Sequence, residues 1–122
     1  MCDIEGEKSR AAEQELQDKL VQMVEDVVDT VATFDGRIGY VQRADGRWDV
    51  TFRARDGEFQ LTIFAATVKA GDVRVVAAAD GIPLDEGDLV YEGPFDAKVV
   101  RYRISTSMAL WYRQMVVHPS SR

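Results

Sequence analysis

The sequence predicts an α+β domain, with one long N-terminal amphipathic helix packed on an antiparallel β-meander sheet of five or six strands. Two observations carry that expectation. Three strand-like runs, Arg37 to Arg43, Arg47 to Arg55 and Glu58 to Ala65, are joined by Asp45-Gly46 and Asp56-Gly57. Asp-Gly suits the positive φ of a two-residue hairpin and is the strongest local signal for antiparallel pairing. Ahead of these runs, Leu16, Leu20, Met23, Val24, Val27, Val28, Val31 and Phe34 recur at helical spacing. That is the wide apolar stripe of a helix lying on a core.

The elements follow in order. Residues 1–8 are expected to be a flexible N-terminus, with a single domain over 9–122. Ser9 is a candidate N-cap and Gly36 a candidate C′ residue after Asp35. A helix over 9–34 would be about 39 Å long, against about 20 Å for a six-residue strand. The helix should therefore overhang its own sheet, with the excess frayed or covered by a second copy. Glu25, Asp26 and Asp29 lie off the stripe in its C-terminal half, where the helix dipole does not favour acids.

In the meander, Trp48, Val50, Phe52 and Ala54 alternate with polar residues, as do Phe59, Leu61, Ile63 and Ala65. One apolar and one polar face are expected, with the helix covering the former. Turning at Asp56-Gly57 would set Arg55 beside Glu58 and Thr51 beside Thr62. Phe64 falls on the polar face, an aromatic with no partner there. After Gly71-Asp72, Val73 to Ala79 reads as a fourth strand. Its small Ala77, Ala78 and Ala79 suit close approach of a neighbouring element, or else leave a concavity for a ligand. Residues 80–96 read as a loop punctuated by Gly and Pro around the short apolar run Leu89-Val90-Tyr91. Lys98 to Ile104 alternates like a strand, Ser105 to Ser107 reads as a loop, and Met108 to Val117 reads as a last strand or a short helix over 107–115.

Charge is unevenly placed. The net charge is −6, yet residues 1–36 hold ten acids against three bases, and residues 97–122 hold five bases and no acid. An acidic helix and a basic tail can serve each other or a partner. The acidic total argues against general nucleic-acid binding. No apolar run approaches the ~20 residues of a membrane span, no secretory leader is visible, and a lone Cys2 makes no internal disulfide. Together these point to a cytoplasmic protein.

Motifs that would specify a reaction are missing. His118 is the single histidine, so zinc and non-haem iron sites lack ligands and a Ser-His-Asp arrangement lacks a positioned base. Asp80, Asp85, Glu86 and Asp88 form an acidic loop without the spacing of a calcium hand, and phosphate-binding glycine loops are missing. Arg101, Tyr102 and Arg103, with Trp111, Tyr112 and Arg113 opposite, resemble a nucleic-acid ribbon in composition. Pairing with the chain's own acids is the stronger reading. No cofactor and no metal is expected.

The function most consistent with these features is a non-catalytic protein-interaction or binding module acting as a homodimer. Phe64, Trp111 and Met115 are its candidate interface residues. The alternative is a cup-shaped domain binding a small molecule, with or without weak enzymatic activity, through Tyr40, Gln42, Tyr102 and Tyr112. Nucleic-acid association through the basic C-terminal ribbon comes third.

Overall fold

The computed structural model describes the backbone of residues 2–55, 57–69 and 71–120, and the side chains of residues 10–55, 57–68 and 71–114. Helix α1 (Cys2–Phe34) leads into strands β1 (Ile38–Ala44), β2 (Arg47–Ala54), β3 (Gly57–Lys69) and β4 (Asp72–Ala79). A 3-10 turn (Leu84–Glu86) precedes β5 (Asp88–Pro94), and helix α2 (Ala97–Ser120) follows. The five strands form one antiparallel sheet in the order β1-β2-β3-β4-β5. The α+β class and the meander are those the sequence predicts.

Both helices cover the same face of the sheet. Leu20, Met23, Val24, Val27 and Val28 of α1 meet Trp48, Val50, Phe52, Leu61, Ile63 and Val75 of the sheet in one core. From α2 that core takes Val100, Ile104, Met108 and Trp111. The inner face is therefore filled, with α2 sharing the cover that sequence assigned to one helix. Trp48 is fully buried, and its indole N–H meets no acceptor among the described residues.

Helix α2 is the main correction. The strand over Lys98 to Ile104, the loop at Ser105 to Ser107 and the last segment, read as a strand over Met108 to Val117 or a short helix over 107–115, are one continuous helix, so the helical alternative holds there and extends back to Ala97. Val100, Ile104, Met108 and Trp111 are buried at steps of four, four and three, which is helical spacing. Val100, Tyr102 and Ile104 also fit an alternating pattern, but Tyr102 is exposed. Asp96 starts the helix: its Oδ1 accepts from the backbone N–H of Lys98 at 3.1 Å and of Val99 at 3.3 Å. Such an N-cap is worth about 1 kcal/mol. The strand missing from the C-terminus is found instead as β5, around the run Leu89-Val90-Tyr91 inside the predicted loop.

Smaller corrections concern boundaries. Helix α1 begins at Cys2, so Ser9 lies within it. Gly36 is not in a positive-φ conformation; the Asp35 carboxylate instead accepts from the Arg37 backbone N–H at 2.9 Å. The second hairpin closes between Ala54 and Gly57, which pairs Arg53 with Glu58 and Thr51 with Gln60. Its register differs from the expected one by two residues. A shift of two preserves which side chains face the core, whereas a shift of one would invert them. Asp56 lies outside the described residues. In the first hairpin Ala44 pairs with Arg47 across Asp45-Gly46, as expected, and Gly46 has φ of 79°.

Candidate functional site

Helices α1 and α2 lie side by side and run in the same direction. Asp26 neighbours Arg101 (Oδ2 to Nη2 4.0 Å), and farther along both helices Phe34 meets Tyr112 edge-on, with ring centroids 6.2 Å apart. On their solvent side the two leave an apolar groove with a volume of about 340 Å³. Its walls are Val27, Thr30, Val31 and Phe34 on α1 and Arg101, Ser105, Met108, Ala109 and Tyr112 on α2. Spacings of three and four on both helices put these residues on facing sides. Phe34 is 79% exposed. Sequence places it in the buried stripe, but at the last residue of α1 it lies on the groove, edge-on to Tyr112.

A polar joint closes this end of the groove. Asp35 Oδ2 accepts from the Tyr112 hydroxyl at 2.7 Å and from Arg37 Nη2 at 2.8 Å, while Arg37 Nε donates to Oδ1 at 3.1 Å. The Arg37 guanidinium also lies over the Phe52 ring, 4.9 Å from its centroid. The hydrogen bonds from Arg37, side chain first, hold the Asp35 carboxyl well below the usual carboxylate range. The hydrogen bond to Asp35, ahead of burial and of the carboxylate's charge, pushes the Tyr112 hydroxyl up. Tyr112 stays a neutral donor and Asp35 an ionised acceptor, which is a fixed structural pairing. A general base needs a value near the operating pH, and Asp35 has moved the other way.

The four tyrosine and glutamine positions singled out from sequence do not meet. Tyr40 donates to Asp29 Oδ1 at 3.2 Å, where β1 passes α1, and burial raises its hydroxyl value first, ahead of that bond. Gln42 is exposed near the far end of β1. Tyr102 is 68% exposed on α2, about 15 Å along the helix from Tyr112. Of the four, Tyr112 alone lines the groove.

The interface candidates separate as well. Phe64 is 39% exposed on the outer sheet face, in a cross-strand row with Val76 and Leu89. Trp111 is buried instead of exposed: it packs edge-on against Phe52, with centroids 6.4 Å apart, because α2 is a helix that turns it inward. The side chains of Met115 and His118 lie outside the described residues.

Elsewhere, the alanines of β4 allow the close approach of a neighbouring element. A Cβ on Gly87 would come within 2.7 Å of the Ala77 carbonyl oxygen, so the loop before β5 lies tightly on the strand. Beside it, Ala77, Ala78 and Ala79 line a concavity of about 180 Å³ with Ser107, Trp111 and Gln114. That is below the roughly 300–1,000 Å³ of ordinary small-molecule sites. In the acidic loop, Asp80 Oδ2 accepts from the Gln60 backbone N–H at 3.2 Å. Among the described residues no three His, Cys, Asp or Glu side chains gather as a metal site. Arg101, Tyr102 and Arg103 lie on α2, so the predicted basic ribbon is a helix, and Arg101 is paired with the chain's own Asp26.

Among the described residues no helix is long and apolar enough to cross a membrane. No family model matches the chain, and no curated protein or solved structure does either.

Proposed function

We propose that this chain is a non-catalytic interaction module that works as a homodimer through the helical side of the domain. The observation that carries this reading is the groove between α1 and α2, with Phe34 79% exposed beside it. The groove adjoins the Met108 side of the core, so apolar surface continues from the interior to the solvent. Contiguous apolar surface of this kind marks interaction sites, and closed two-fold dimers are the commonest oligomers. The titratable groups with shifted values serve structural pairings: Asp35 holds Arg37 and Tyr112, and Asp49 holds Arg43 and Thr62. That arrangement supports binding over catalysis.

The test is mass in solution. Sedimentation at tens of micromolar should report about twice the 13.7 kDa chain mass. Phe34→Glu places a carboxylate beside the groove, away from the core, and should shift the protein toward monomer with its helical content unchanged. A parent that stays monomeric across that range would sink the proposal.

A further inference from the structure

The outer surface of the two helices is divided by charge. From Gln22 to Phe34, α1 carries Glu25, Asp26 and Asp29 and no base. Between Ala97 and Gln114, α2 carries Lys98, Arg101, Arg103 and Arg113 and no acid. Asp26, Asp29, Lys98 and Arg101 are all exposed. The helices are parallel, and Asp26 and Arg101 stand 4.0 Å apart across the groove. Acidic and basic stretches therefore lie at the same height on its two sides.

Resting on the homodimer reading, we infer that the second copy docks along a two-fold axis parallel to the groove, which lays α1 of each copy over α2 of the other. Two helical layers can meet face to face about a two-fold axis in only two limiting ways. An axis across the groove sets α1 against α1 and α2 against α2, acid on acid and base on base. An axis along the groove sets Asp26 and Asp29 of one copy against Lys98 and Arg101 of the other, twice over. Like charges brought together at an interface oppose association, while complementary ones fix its register and speed encounter. The apolar walls supply area and the flanking charges select the orientation. The Asp26–Arg101 pair already present in each copy then links the four charges on one side of the axis to the four on the other.

The test is a charge-swapped pair, read by sedimentation with parent protein alongside. One variant carries Asp26→Lys and Asp29→Lys, the other Lys98→Glu and Arg101→Glu. In the proposed arrangement each variant alone brings like charges together and dissociates at least tenfold more readily than the parent. An equal mixture restores opposite charges at both contacts and recovers the dimer mass. If both variants dimerise as the parent does, the axis runs across the groove or the interface lies elsewhere, for example on the Phe64–Val76–Leu89 row, and this arrangement is wrong while the homodimer stands. If each is monomeric and the mixture remains so, restoring opposite charges does not rebuild the interface and this arrangement is wrong. Circular dichroism checks that each variant is folded. Should either fail to fold, the salt dependence of the parent decides: dimerisation should weaken as sodium chloride rises from 50 to 500 mM, because screening shortens the reach of exposed charges. A parent dimer indifferent to salt overturns the arrangement. A monomeric parent removes the homodimer reading itself.

Discussion

Helix α1 is tied down at two places by opposite chemistry. At Gln17, a side chain 9% exposed, a neutral amide reaches the backbone of β3. Its Nε2 donates to the Ala65 carbonyl at 3.2 Å, and its Oε1 accepts from the Thr67 N–H at 2.9 Å. The partners cannot change rotamer, and none of them titrates. Just past the C-terminal end, the Asp35 carboxylate holds Tyr112 and Arg37, two side chains, one of them on the far helix. The first anchor seats α1 on the sheet. The second joins α1 to α2 beside the groove, and it depends on charge. The mid-helix anchor is built for position and the C-terminal one for an alignment that pH can loosen.

The comparison breaks most severely at Gly46. This residue stands at the first hairpin, its φ is 79°, and its carbonyl accepts from the Ala65 N–H at 2.7 Å. An added Cβ would run into the Ala65 carbonyl oxygen and come within 3.0 Å of Gln17 Nε2. Gly46→Val therefore combines backbone strain with a collision against backbone, at a cost of about 3 kcal/mol or more. Thermal unfolding should show a loss of roughly 12 °C, at about 4 °C per kcal/mol for a domain of this size. Gln17→Leu, which strands the Thr67 N–H and the Ala65 carbonyl, should cost about 1–3 kcal/mol at every pH. Gly57→Val is the control. Its φ is 151° but nothing lies within 4 Å of the added Cβ, so strain alone remains, about 1–2 kcal/mol. Equal losses at Gly46 and Gly57 would mean that the Gln17 corner adds nothing.

The two anchors also differ in how far they could be read from sequence. The stripe of α1 and the alternation of β2 and β3 are local patterns with a fixed period, and they predicted the sheet and its inner face. Gln17 sits within that stripe beside Leu16 and Leu20, and a polar residue on an apolar face was the available sign of a buried hydrogen bond. Asp35 and Tyr112 are 77 positions apart, so no local pattern links them. Tyr112 also lies in a segment whose sequence fits either a strand or a short helix. Alternation over Val100, Tyr102 and Ile104 is too short to separate a strand from a helix, and Ser105 to Ser107 reads as a break although exposed Ser and Thr cost a helix little. The Asp96 cap was the overlooked signal. A strand over Lys98 to Ile104 leaves no long second helix to form a groove with α1, and strand alternation beyond it puts Trp111 on the surface.

The smallest effect separates the anchors by pH. Asp35 has a lowered folded-state value, so it contributes stability that is present above the ordinary carboxylate value and is lost as pH falls through the folded one. Asp35→Asn should be less stable than the parent at pH 7. The gap should begin to narrow as pH drops below about 4, where the carboxyl of the unfolded chain takes up its proton while the folded one stays ionised. Arg37 is 55% exposed, and solvent screening keeps the gap modest. Both proteins should retain a common acid slope from Asp49. Burial raises that group's value, but hydrogen bonds from Arg43 and Thr62 outweigh burial and leave it lowered. Gln17→Leu supplies the contrast, with a deficit that stays the same from pH 7 to pH 3 because no proton is involved. Thermal midpoints of the three proteins across that range decide the matter. An Asp35→Asn deficit that persists unchanged at pH 3 would mean that the joint beside the groove is held by shape and not by charge.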